Sequence, residues 1–349
     1  MKKQIYIIIL ITTLVCYFSV FIPPHIFWFA GFITYLIPFI LIINLIILIL
    51  DIKNLRLSFL LPLVLLIAGW GFIRSTFQFP LNHKEGPVKV LSYNIHVFNI
   101  YDPESVFNEI PQKMAGWIQA AGCDIICLQE FYSEPDSPAR NTISMINREK
   151  TYNIYNLPVF TNRIGAQFGN IIFSRYPIVR RGQVEFAGHS QNQAIFADLL
   201  IDTDTVRVYN LHLQSMHINE KEMMNYEGDI EEEVRDLAGR LKFGFIQRSL
   251  QIRTIREHIL SCPYQVIVCG DFNDIPYSYA YHELKDILHN SFTESGSGFG
   301  FTYNGKLPFL RIDNQFHSNG IKSHSLKTVQ AIKYSDHYPL IGTYSIAGK

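Results

Sequence analysis

Hydropathy divides the chain near residue 74. Before it, apolar positions run almost unbroken through 5–21, 27–50 and 57–73, interrupted only by Pro23 and Pro24 and by the DIKNLR segment at 51–56. After it, from about residue 87, short apolar runs alternate with turn residues. The runs at 88–93, 124–128, 170–174, 194–200, 206–211, 265–269, 311–316 and 340–345 are short and mostly β-branched, which predicts strands. Two stretches carry helical spacing instead: 104–121, through Val106, Ile110, Met114, Trp117 and Ile118, and 248–259, through Leu250, Ile252, Ile255 and Ile259. Strands outnumber helices and several follow one another across a turn. A single doubly wound parallel sheet is therefore disfavoured, and mixed sheets stacked face to face with helices outside are predicted. The expected organisation is a membrane region over 1–74, a linker over 75–86 and an α/β domain over 87–349.

A helix crossing a bilayer core of about 30 Å needs roughly 20 apolar residues, within a range that includes all three N-terminal stretches. Three transmembrane helices are the economical expectation. Proline cannot continue a helix interior, so Pro23 and Pro24 part the first stretch from the second. An ionised Asp51 or Lys53 at mid-bilayer costs about 2.5 to 3.5 kcal/mol, which places both in a loop. A cleaved signal peptide fits less well, since no small-residue cleavage site precedes the second stretch. Lys2 and Lys3 precede the first stretch and Lys53 and Arg56 lie between the second and third. The positive-inside rule makes that side cytoplasmic and sends the large domain to the extracytoplasmic face, with Arg74 the one cation against this orientation.

Charge then narrows the partners. Five of the 30 cationic and one of the 30 anionic side chains fall in residues 1–74, which leaves a formal charge of −4 on residues 75–349. Duplex binding draws on Lys and Arg to neutralise phosphates, and no basic stripe stands out here. Residues 217–240 are strongly acidic, and read as a solvated helix or loop, or as a flap near a site that repels polyanions. Cys16 lies in the first apolar stretch, and Cys123, Cys127, Cys262 and Cys269 lack metal-site or redox spacing and read as small buried hydrophobes, although an oxidising compartment would permit a bridge.

Several predicted strands finish in the residue types that a hard cation or a phosphate requires. Asn94 follows the first run, Glu130 the second, Asn210 and His212 the fifth, and Asp271 and Asn273 the sixth, within VIVCGDFNDIP. Ser335, Asp336 and His337 stand just before the last. Ligands of α/β sheets collect where strands give out at their carboxyl ends. Oxygen donors in this proportion suit Mg²⁺ or Mn²⁺, whereas zinc draws on more His or Cys. Each residue alone has a bland reading: an Asp-Asn turn at 271–273, a core histidine at His212, a cap at Glu130.

Together, YNIHVFN at 93–99, CLQE at 127–130, GNIIFSRYPI at 169–178, YNLHLQS at 209–215, GDFND at 270–274, RID at 311–313 and SDHYPL at 335–340 resemble, in order, the motifs of the endonuclease/exonuclease/phosphatase superfamily. The resemblance covers residues 87–346 and leaves the N-terminal stretches outside. It implies a four-layer α/β/β/α sandwich with two mixed central sheets and metal-assisted cleavage of a phosphate ester. It further implies that Glu130, with Asn94 and Asp336, holds the metal, and that Asp271 orients or deprotonates the attacking water. Asn273 would hold a phosphate oxygen, His337 would donate to the phosphoryl oxygens with Asp313 fixing its ring, and Asn210 and His212 match a motif that contacts phosphate. One departure stands out: Asn314 and Gln315 follow RID, where the family often has an aromatic residue.

Three function classes follow: a membrane-anchored phosphodiesterase or phosphatase acting on a lipid headgroup or small phosphorylated metabolite, a metal-dependent nuclease, and a non-catalytic ligand-binding membrane protein. Every expected polar position is filled, which argues against the last. The charge of −4 argues against the nuclease.

Overall fold

Twelve strands build two six-stranded mixed sheets among the described residues, which in this computed structural model are 2–79, 85–187, 192–216, 230–307 and 309–346. In chain order they are β1 Val88–Asn94, β2 Ile125–Ser133, β3 Asn153–Thr161, β4 Gln167–Ser174, β5 Ile178–Gln183, β6 Gln193–Ile201, β7 Asp204–His212, β8 Gln265–Asp271, β9 His289–Asn290, β10 Asp313–His317, β11 Ile321–Thr328 and β12 Leu340–Ile346. The first sheet runs β11-β12-β1-β2-β4-β3 and the second β5-β6-β7-β8-β10-β9. Each has one parallel pair at its centre, β1 with β2 and β7 with β8, and antiparallel neighbours outside it. A helix makes each parallel crossover: Ile110–Ala120 in the first sheet and Ile230–Leu260 in the second.

Alternation along the strands sets the layers. Val90, Ile125, Cys127 and Ile172 from one sheet meet Ile195, Val208, Ile267 and Cys269 from the other in a core between them. Opposite faces bury Met114, Ile118 and Phe173 under one crossover helix, and Ile252, Ile255 and Val268 under the other. Polar bolts join the sheets. Gln315 donates to the carbonyls of Val90 and Leu340 and accepts from the Tyr344 hydroxyl at 2.6 Å, which gives the RID departure a structural use. All five cysteines are free, and all but the half-buried Cys262 are buried.

Two helical expectations change. The stretch 104–121 is two helices, Pro103–Phe107 and Ile110–Ala120, because Glu109 adopts a left-handed φ of 57° between them. The helix expected at 248–259 is the end of Ile230–Leu260, whose first turn holds Glu231, Glu232 and Glu233, where the helix dipole favours anions. Of the acidic segment, residues 217–229 lie outside the described residues.

The N-terminal stretches form helices Lys2–Ser19, Phe29–Thr34, Ile37–Lys53, Leu60–Ala68 and Trp70–Thr76. No single helix among the described residues is long and apolar enough to cross a membrane, although Leu57–Ala68 and Trp70–Thr76 reach the length together across a 62° bend. The expected second span breaks at Tyr35 and Leu36, ahead of Pro38 in the first turn of the next helix. The third breaks at Gly69, where a Cβ would lie 2.2 Å from the Tyr17 hydroxyl oxygen. Asp51 is not in the expected loop: it is buried near the end of Ile37–Lys53 and accepts from Tyr6 and Ser58.

These helices pack on the sandwich directly. Tyr17, Val20, Ile37, Ile40 and Leu41 share a core with Ile275 and Tyr277, in the loop that follows β8. His25 Nδ1 lies 2.7 Å from Ser249 Oγ, Thr76 Oγ1 2.6 Å from the Tyr277 hydroxyl, and Arg311 donates to the Ser75 carbonyl at 2.7 Å.

Candidate active site

The carboxyl ends of the two central parallel pairs face one another across the top of the sandwich. Asn94 ends β1, Glu130 lies near the end of β2, His212 ends β7 and Asp271 ends β8. Backbone detail aims each one. β2 slips register against β4 between Leu128 and Phe131, and Glu130, inside that bulge, has φ 49°. A bulge re-aims a side chain, and here it turns Glu130 out of the sheet. At Gly270, φ 149°, a Cβ would lie 2.1 Å from the Leu211 carbonyl oxygen, so only glycine lets β7 and β8 close up immediately before Asp271.

Asn94 ties the sheets together chemically: its Nδ2 donates at 3.0 Å to Glu130 Oε1 and at 3.0 Å to Asp271 Oδ2. His212 Nε2 lies 3.5 Å from Glu130 Oε1 and 4.0 Å from Asp271 Oδ2, buried and without a hydrogen bond. Asp271 Oδ1 accepts from the Asn273 backbone N–H at 2.7 Å, while Asn273, at φ 50°, donates its Nδ2 to the Leu213 carbonyl and to Asp271 Oδ2. His337 Nε2 lies 3.7 Å from Asp271 Oδ2, and its Nδ1 meets Asp313 Oδ2 at 2.8 Å. Thr302 Oγ1 holds the Asp313 backbone N–H from behind. Asp336 lies on the rim, with Oδ1 3.1 Å from Ser335 Oγ and 3.8 Å from His96 Nδ1.

Burial pushes the Asp271 carboxyl up to about 6, against the pull of His337 and His212. Burial acts to discharge His337, but Asp313 and then Asp271 hold its proton and raise its pKa well above the ordinary histidine value. A cationic ring beside two acids is a hydrogen-bond donor poised for an anion. The ligand atoms of the buried trio Asp271, Asp313 and His337 lie within 4.8 Å of one another. Glu130 and Asn94 stand beside this trio, with Asn94 bridging Glu130 and Asp271. Carboxylate oxygens such as those of Glu130, Asp271 and Asp336 are the donors a hard divalent ion takes.

Eight of the nine residues singled out in the sequence gather here. Asn210 does not join them. Its Nδ2 donates to the carbonyls of Leu128 and Ile171 and its Oδ1 accepts from Gln129, so the carboxamide is used up stitching β7 to β2 and β4. Asn210 thus sits in the sheet seam, next to the strand that carries Glu130. Sequence reasoning passed over His96, inside YNIHVFN. His96, Val97, Phe98 and Asn99 all have φ between 44° and 56°, a left-handed turn that brings the His96 ring over Asp336. Such residues cost on the order of 1–3 kcal/mol each and persist where surroundings over-determine them. Asn94 Oδ1, accepting from the His96 N–H, and the Tyr334 carbonyl, accepting from Asn99 Nδ2, supply that constraint.

Catalytic-type groups held on the ends of two stacked mixed sheets define a class, and sequence comparison agrees with it. The pattern of the Endonuclease/Exonuclease/phosphatase family matches residues 91–337, and the chain belongs to that family, whose members hydrolyse phosphate esters and generally use a divalent metal. Residues 4–76 match a separate domain of unknown function. Among curated proteins, none matches this sequence. Solved structures share the fold. A family member from Bacteroides thetaiotaomicron aligns at 15% identity over 75% of this chain and 98% of its own, TM-score 0.55. A humanized D. rerio TDP2 aligns at 13% over 74% and 98%, TM-score 0.54, and a mannosyl-6-phosphatase from Bacteroides thetaiotaomicron at 16% over 74% and 100%, TM-score 0.52.

Proposed function

We propose that the domain is a hydrolase of phosphate esters dependent on Mg²⁺ or Mn²⁺, with Glu130, Asn94 and Asp336 holding the ion. The observation that carries this reading is the meeting of Glu130, Asn94, Asp271 and His337 within hydrogen-bonding or ion-pair distance, from strands of both sheets and the loop before β12. A bound divalent cation would polarise the phosphoryl group and offset its charge.

The residues of the chain do the rest. Asp271 orients the attacking water and draws its proton as the water oxygen bonds to phosphorus. The bond from phosphorus to the ester oxygen breaks, and the departing alkoxide takes up a proton to leave as an alcohol. His337, kept charged by Asp313, donates to the phosphoryl oxygens as negative charge builds on them. His212 Nε2, which makes no hydrogen bond, faces the same oxygens, while Asn273 holds the Leu213 carbonyl and Asp271 Oδ2.

Residues 1–74 lie in the bilayer in this reading, as a region of broken helices, with the N-terminus cytoplasmic and the catalytic domain extracytoplasmic. Support comes from composition and from the large exposed side chains Ile8, Ile11, Phe18, Phe39, Val64 and Ile67, each more than half exposed on the faces not packed against the sandwich. Patches of that kind mark membrane or partner contact.

The test is hydrolysis of bis(4-nitrophenyl) phosphate by the full chain with Mg²⁺ or Mn²⁺ and with chelator. Metal-dependent release of nitrophenol is expected; no hydrolysis under any metal condition overturns the reading. Alkaline phosphatase fused after Lys349 is expected to be active, and an inactive fusion of normal abundance overturns the orientation.

A further inference from the structure

The cavity at the catalytic centre has two chemically different ends. It encloses about 620 Å³, in the range of small-molecule sites. One end is formed by Glu130, Asp271, Asn273, Asp336 and His337. The rest of the lining is mostly apolar, with Tyr35, Leu241, Ile275, Leu307, Phe309 and Leu310, and also includes Ser215, Tyr303 and Lys306. Phosphate chemistry makes no use of such a wall, and a sugar or nucleotide phosphate would leave its hydroxyls facing hydrocarbon there, at the cost of their hydrogen bonds to water.

The apolar end also leads somewhere. Phe309 packs edge-on against Phe301 at 5.6 Å, Phe301 stacks on Phe299 at 5.2 Å, Phe299 meets Phe77 at 5.1 Å, and Phe77 meets Phe79 at 5.3 Å. This file of rings joins the cavity mouth to the end of the last N-terminal helix, and Phe309 and Phe79 at its two ends are each 76% exposed. Gln78 and Gly298 exchange backbone hydrogen bonds and fix the two segments to each other. Tyr35, from the N-terminal region itself, reaches into the cavity and donates to Asp274 Oδ1.

The geometry points to an amphiphilic phosphate ester as the substrate, its phosphate between Glu130 and His337 and its hydrocarbon chain along the apolar wall. The bilayer supplies it along the aromatic file, whose rings offer the chain an apolar surface between membrane and cavity. This inference rests on the hydrolase reading and on the placement of residues 1–74 in the bilayer, and narrows the substrate to a lipid or lipid-like ester.

Its test measures binding, so that it is separable from turnover. n-Alkylphosphonates of two to eight carbons are titrated by calorimetry into full-length protein in phosphatidylcholine nanodiscs with Mn²⁺, and into empty nanodiscs to subtract partitioning. Affinity is expected to rise by up to about fourfold per methylene buried. Leu307→Gln, Phe309→Gln and the double variant are expected to flatten that rise, and both side chains are more than half exposed, so the fold tolerates the changes. A slope equal in wild type and double variant, or no phosphonate binding at all, overturns the inference. A flat slope alongside metal-dependent hydrolysis of bis(4-nitrophenyl) phosphate refutes the amphiphile alone, whereas absence of any hydrolysis refutes the hydrolase.

Discussion

The sandwich and the N-terminal helices use the same apolar residues in opposite ways. In the sandwich, Val90, Ile125, Ile172 and Val208 are fully or almost fully buried, and polar groups gather where strands end. In the helices, Ile8 is 63% and Ile67 64% exposed, while the charged Asp51 is buried. A core buried against itself implies water outside; an apolar exterior implies another solvent or a partner. The two meet at the loop after β8, where Ile275 and Tyr277 pack on the helices two and four residues beyond Asn273. The catalytic loop is thus built partly on the apolar region.

Substitutions separate the two regions, and the largest effect is expected at the polar centre. Asp271→Asn keeps shape and burial but removes the water's acceptor, and activity on a soluble phosphodiester should fall about 10²–10⁴-fold with an unchanged circular dichroism spectrum. A loss below tenfold would assign the water to another group. Next comes the seam. Arg248 Nε donates to Asp274 Oδ2 at 2.9 Å, both side chains almost wholly buried, and Tyr35 shares Asp274. Arg248→Ala should lower stability by about 3–5 kcal/mol in denaturant titration, because a buried carboxylate loses its partner. Stability within 1 kcal/mol of wild type, on the order of a surface change, would detach the seam from the fold.

Smaller effects follow. Asn210→Ala leaves the Leu128 and Ile171 carbonyls without their donor and should cost about 1–3 kcal/mol, with metal affinity weakened through Glu130 and no change in substrate chain preference. Ile8→Ser, on the exposed face, should shift the unfolding free energy of the sandwich by less than about 0.5 kcal/mol. A large shift there would mean that the helices and sandwich fold as one unit.

What could be read from the sequence divides along the same physical line. All eight expected strands are present, and all are interior to their sheets. The four that went unread, β3, β5, β9 and β11, are the four sheet edges. Edge strands carry polar and interrupted sequences: Arg180 and Arg181 in β5, Pro158 in β3, and Lys322, His324 and Lys327 in β11. Their hydrophobic signal is weak because half their surface is wet. The polar site was legible because its residues sit at strand ends in compact motifs. Its apolar wall was not, since Tyr35, Leu241, Ile275 and Leu307 come from four distant segments and each reads alone as core or loop. Asn210 was placed in the right motif and given the wrong partner: a motif fixes residue type, while only the backbone fixes which way a carboxamide faces.

The central claim is that Glu130 and its neighbours gather around a divalent ion to cleave phosphate esters, and Mn²⁺ titration of wild type and Glu130→Ala by calorimetry tests it most directly. The account predicts saturable binding by wild type and its loss in Glu130→Ala, in step with hydrolysis. Equal Mn²⁺ affinity in the two proteins would contradict it.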